Sequence, residues 1–115
     1  MHPIESIIQF NVDRNLNYFE SSTEYAMLFE ELQEFMVASS KGNAYDMVDA
    51  LCDIVVVAVG GLHKLGYDPT AALEETLKEI TSRQGALNKS TGKWEKDPKQ
   101  DPSTLYRASY KEAKG

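Results

Sequence analysis

Two acidic pairs set into apolar, helix-forming sequence constrain this chain more than any other feature. The first lies in Phe29-Glu30-Glu31-Leu32-Gln33-Glu34-Phe35, the second in Asp49-Ala50-Leu51-Cys52-Asp53-Ile54-Val55-Val56-Val57. If both segments are helical, Glu31 and Glu34 are three apart and Asp49 and Asp53 four apart, so each pair shares one helix face. Carboxylates gathered beside apolar side chains are costly unless they are protonated, paired with bases or bound to a cation. Four oxygen-bearing side chains aimed at one space predict a site for a hard divalent cation, Mg²⁺ with Mn²⁺ as a substitute.

Helical periodicity runs through the first two thirds of the chain. Ile4, Ile7, Ile8 and Phe10 fit a short first helix, and Asp13 to Glu20 reads as a connection. Ser21-Ser22-Thr23-Glu24 matches a capping box, with Ser21 as N-cap. In the helix that follows, Tyr25, Leu28, Phe29, Leu32, Phe35 and Met36 make one broad apolar face with Glu31 at its edge. Glu30 lies on a more polar side beside Gln33 and is easily solvated. Asn43 is the expected cap of the next helix, with Asp46 in its first turn facing the helix dipole.

That third helix is apolar almost all round, so it should be buried on most sides, which makes Asp49 and Asp53 expensive. Its β-branched run ending in Gly60-Gly61 also resembles a buried parallel strand feeding a nucleotide loop. However, neither glycine signature of such loops is present and no other segment offers a partner strand. Close helix packing accounts better for the glycines, and an exposed position for His63. Gly66 suits a helix C-terminus, Asp68 an N-cap and Pro69 a first helical position. Beyond Gln84 the sequence turns polar and loop-like. Lys89, Lys93 and Lys96 flank Trp94 there, a set able to close over an anionic ligand with an aromatic base, or equally to remain solvated. Tyr106 and Tyr110 are candidates to pin the end of the chain.

The expected architecture is therefore all-α: one domain over 1–115, helices at about 4–12, 22–40, 43–65 and 69–84, and a loop-rich C-terminal tail over 85–115. A chain of 115 residues is small for its surface, which favours oligomerisation. A net charge of −6 argues against a general nucleic-acid or anionic-membrane binder. Cys52 is the only cysteine, which excludes an intrachain disulfide and fits a cytoplasmic setting. No signal peptide or spanning segment is indicated.

Glu30-Glu31-x-x-Glu34, then Asp49-Ala50-Leu51-Cys52-Asp53, Gly60 and Leu65-Gly66-Tyr67-Asp68, resembles the MazG-like all-α nucleoside triphosphate pyrophosphohydrolases. Within them it is similar to the branch related to phosphoribosyl-ATP pyrophosphohydrolase. The resemblance covers about residues 25 to 97. The family's E-x-x-E carries over to Glu31 and Glu34. Its E-x-x-D ends at Asp53 but meets Ala50 three residues earlier; Asp49 matches the D-A-L-x-D variant of the branch. Late in the fourth helix, Ile80 stands where the branch tends to have Asn, and Arg83 replaces a Lys as phosphate contact. The resemblance implies a MazG-like bundle of about four helices, assembled as a homodimer or homotetramer. It also implies Mg²⁺-dependent hydrolysis of a (d)NTP or related nucleotide to monophosphate and pyrophosphate. Glu31, Glu34, Asp49 and Asp53 would hold metal, Glu34 or Glu31 would accept the water's proton, and Arg83, Lys89, Lys93, Lys96 and Trp94 would contact substrate. The alternatives are a phosphoribosyl-ATP substrate or a non-catalytic adaptor with an acidic docking face. A di-iron bundle is disfavoured because neither His2 nor His63 stands three after a Glu.

Overall fold

Local signals decide where each helix starts and stops in the structure, a computed structural model that describes residues 2–115. Helix α1 spans Pro3–Asp13, with Pro3 at its first position and His2 Nδ1 accepting from the Ile4 amide at 3.2 Å. Helices α2, Ser21–Ser40, and α3, Ala44–Lys64, follow, then α4, Pro69–Ser82. Asn43 caps α3 as expected. Its Oδ1 accepts the Asp46 amide at 3.1 Å and its Nδ2 donates to the Asp46 carboxylate at 2.8 Å. Both α2 and α3 close with a glycine in the left-handed region, Gly42 at φ +66 and Gly66 at φ +89. There the amides of Asn43 and Tyr67 reach back to the carbonyls of Ala38 and Leu62.

The capping box does not form. The N-cap of α2 is Glu20, and Ser21 is already the first helical residue. Glu24 is instead drawn across to α3, where Lys64 Nζ lies 2.6 Å from its Oε1 in a nearly dry pair. A buried ammonium outbids a helix-end amide for that carboxylate, because a charge removed from water needs a charged partner more than a backbone donor does.

The chain divides into two compact units, one ending at Pro69 and the other Thr70–Gly115. In the first, the short link Lys41–Asn43 folds α2 and α3 back on one another as a helical hairpin, with α1 laid against α3. Gly60 is where α1 comes close. A Cβ added there would sit 3.5 Å from the Asn11 side chain, and Asn11 Nδ2 donates to the Gly60 carbonyl at 3.2 Å. Close packing thus explains this glycine, as the sequence suggested. His63 is not the exposed residue it was expected to be. It is half-buried, with Nδ1 3.2 Å from Asn11 Nδ2, and accepts there when the ring proton sits on Nε2.

The faces of α2 also differ from the sequence reading. The stripe turned inward is Glu24, Met27, Leu28, Glu31, Phe35 and Ala38, so Glu31 belongs to the packed face and not to its edge. Most of the broad apolar face lies in the open: Tyr25, Phe29, Leu32 and Met36 are 46–65 % exposed. Likewise α3, expected to be buried on most sides, leaves Val48, Leu51, Val55 and Val56 exposed. One short chain with three helices in this unit has too little surface to cover both.

In the second unit, α4 is followed by an antiparallel hairpin of β1, Gly85–Asn88, and β2, Lys93–Lys96, in register from Gly85↔Lys96 to Asn88↔Lys93. The loop-rich tail expected from the sequence thus also carries a short hairpin, and the sequence did hold its turn chemistry. Asn88 Oδ1 accepts from the Ser90 amide at 2.9 Å, and the Gly92 amide donates to the Asn88 carbonyl at 2.8 Å. Two single-turn 3₁₀ segments, Pro102–Thr104 and Lys111–Ala113, complete the chain. Its end is tied to α4: Tyr106 Oη donates to Glu75 at 2.6 Å, and the Tyr110 hydroxyl lies 2.8 Å from Thr76 Oγ1.

Candidate metal centre and adjoining cleft

The hairpin of α2 and α3 brings three carboxylates together. Glu31, Glu34 and Asp53 each offer an oxygen within 4.8 Å of the other two. The helix spacing explains this: Glu31 and Glu34 are one turn apart on α2, and Asp53 lies on the stretch of α3 packed beside them. Asp49, one turn earlier on α3, is exposed and lines a cleft of about 410 Å³ with Glu34, Glu30, Gln33, Lys41 and Asp46. Glu34 belongs to both the carboxylate group and the cleft.

Glu31 carries the electrostatic cost of this arrangement. Its Oε2 is buried with no hydrogen-bond partner. Burial, followed by its contact with Glu34 and the negative charges of Asp53 and Glu34, pushes its pKa up to about 7. A carboxylate oxygen that is dry, unpartnered and flanked by two more carboxylates is poorly served by protein alone. An oxygen-only donor set of this kind fits a hard divalent cation such as Mg²⁺ or Mn²⁺ and does not suit a soft metal.

The basic residues singled out by sequence all lie in the second unit. Arg83 is paired with Glu79 at 3.2 Å. Lys89 sits in the turn of the hairpin, Lys93 and Lys96 on its second strand, and Trp94 between them is 59 % exposed. Sequence reasoning missed Lys41, which places a positive charge on the rim of the acidic cleft. Its position beside the α2–α3 turn was the available signal. It also missed the Glu24–Lys64 pair, because Glu24 was assigned to a cap.

An all-α fold whose helical hairpin gathers Glu-x-x-Glu against an aspartate is consistent with the MazG-like all-α superfamily. More particularly, residues 13–80 match the family model described as phosphoribosyl-ATP pyrophosphohydrolase, and the chain belongs to that family. Neither a curated protein nor a solved structure matches it. The family is one of pyrophosphohydrolases acting on nucleotides, and its members typically use divalent metals. No described helix is long and apolar enough to cross a membrane.

Proposed function

We propose that this protein is a Mg²⁺-dependent pyrophosphohydrolase that converts a (d)NTP or related nucleotide to its monophosphate and pyrophosphate. The observation that carries the reading is Glu31 Oε2, buried and unpartnered within a three-carboxylate group, in a chain of this family. Glu31, Glu34 and Asp53 would hold the metal, with Asp49 joining from the cleft directly or through water. When bound, Mg²⁺ would neutralise phosphate charge and acidify a water. Glu34, which faces both the carboxylate group and the cleft, accepts the proton of the attacking water, with Glu31 as the alternative acceptor. Water oxygen adds to the α-phosphorus, the bond to the bridging oxygen breaks, and pyrophosphate leaves. On the family resemblance, Arg83, Lys89, Lys93 and Lys96 are the proposed phosphate contacts and Trp94 the proposed contact to the base.

The family's description makes phosphoribosyl-ATP the alternative substrate. A panel of the standard NTPs and dNTPs with phosphoribosyl-ATP, assayed with Mg²⁺ for monophosphate and pyrophosphate, ranks them. Turnover that stops with EDTA and in Glu34→Gln, with helical circular dichroism intact, is the expected result. Mg²⁺-independent turnover, or full activity in Glu34→Gln, would overturn the assignment.

We also infer a homodimer or homotetramer. Its support is the pair of apolar stripes on α2 and α3 that the chain leaves uncovered, since soluble monomers rarely expose continuous apolar surface of that kind.

A further inference from the structure

The cleft beside the carboxylate group runs between unlike surroundings. Toward one end Glu34 joins it to the candidate metal centre; at the other, beside the α2–α3 turn, stand Lys41 and Asp46, with Val37 and Ala38 between. Glu34 and Lys41 are seven residues apart along α2, about 10 Å at a helical rise of about 1.5 Å per residue. That is close to the reach of a nucleotide from its α-phosphorus to the far edge of its base. The volume of about 410 Å³ also lies within the range of about 300–1,000 Å³ typical of small-molecule sites. Charge decides which part of a nucleotide belongs there. Even with Glu34 and Asp49 given over to metal, Glu30 and Asp46 outweigh Lys41, so the cleft offers no net positive charge to a phosphate. A neutral group with hydrogen-bond donors suits it better.

Resting on the pyrophosphohydrolase reading above, we propose that this cleft is the nucleoside subsite, in which Val37 seats the base and Lys41 and Asp46 read its edge. Val37 turns an exposed side chain out beside the buried Ala38, an apolar floor between polar ends. Asp46 is held by Asn43, whose Nδ2 donates to its Oδ2 at 2.8 Å and whose Oδ1 accepts its amide at 3.1 Å. Oδ1 of Asp46 is left to accept from a ligand. Lys41 is rooted at the end of α2 by its amide, which donates to the Val37 carbonyl at 3.2 Å, and among the described residues its ammonium is in no ion pair. One donor and one carboxylate on a fixed frame suit a base edge that sets a ring acceptor beside an exocyclic amino group, as cytosine and adenine do. Uracil and thymine put a carbonyl where that amino group stands, and a carbonyl facing Asp46 gives the carboxylate no proton to accept. The cleft therefore selects an amino-bearing base.

Cytidine and uridine triphosphates with a methylene in place of the α,β-bridging oxygen resist the reaction, so their binding is measured calorimetrically on the full chain with Mg²⁺. Wild type should bind the cytidine analogue about tenfold more tightly than the uridine analogue, the effect of one hydrogen bond to a charged group. Lys41→Met should weaken the cytidine analogue by about the same factor. Asp46→Asn keeps an oxygen for Asn43 and gains an amide donor for a carbonyl, so it should move the preference toward the uridine analogue, a change that mere loss of packing would not produce. Equal affinity of wild type for the two analogues, or binding unchanged in both variants, would overturn the subsite while leaving the enzyme in place wherever a nucleotide is hydrolysed. No binding of either analogue and no turnover of any nucleotide in the panel would overturn the catalytic reading and the subsite with it.

Discussion

Among the described residues, Glu31 and Glu24 are the two with a buried side-chain oxygen that lacks a partner, and they answer that problem differently. Glu31 stays protonated in the folded, metal-free protein up to about 7, whereas the unfolded chain releases that proton near 4.5. Between those values the folded state binds more protons. Stability therefore falls as pH rises through the window, and the cost is fully present above it. Without metal, wild type should lose urea stability relative to Glu31→Gln between roughly pH 5 and pH 8, and saturating Mg²⁺ should reverse the loss. Parallel pH profiles for the two proteins would contradict this. Glu24 is paired with Lys64 at 2.6 Å, with side-chain exposures of 8 % and 11 %. Lys64→Met should then cost about 3 kcal/mol by leaving a dry carboxylate alone, and the double replacement Glu24→Leu with Lys64→Met should recover most of it. Denaturant midpoints of the single and double variants provide the check.

At the scale of elements, helix ends are set by single side chains. Asn43→Ala should cost about 1 kcal/mol, because the Asp46 amide loses its acceptor at the start of α3. Thermal unfolding with unchanged far-UV circular dichroism would register it. The four helices were legible because periodicity, Asn43, Gly66 and Pro69 all agree along the chain. The α2 cap was misread because Ser-x-x-Glu describes a local option, while the partner that won, Lys64, lies forty residues away. The hairpin was missed because Lys93-Trp94-Glu95-Lys96 has no apolar alternation. Its signal was the turn, Asn88 to Gly92. The carboxylate group was legible as two helical spacings, but which of the four would converge depended on how α2 and α3 pack. That is why Asp49 stands in the cleft and Glu31, Glu34 and Asp53 stand together.

For the whole molecule, the exposed stripes of α2 and α3 predict the state of assembly. Sedimentation should find a dimer or tetramer, and Phe29→Lys or Leu51→Lys should shift it toward monomer with a lower melting temperature. A wild-type monomer would contradict the inference. A last consequence follows from where the chain divides. Every carboxylate of the candidate metal centre lies in the unit that ends at Pro69. A lineage could therefore exchange or rewrite the C-terminal portion while inheriting the carboxylate group untouched.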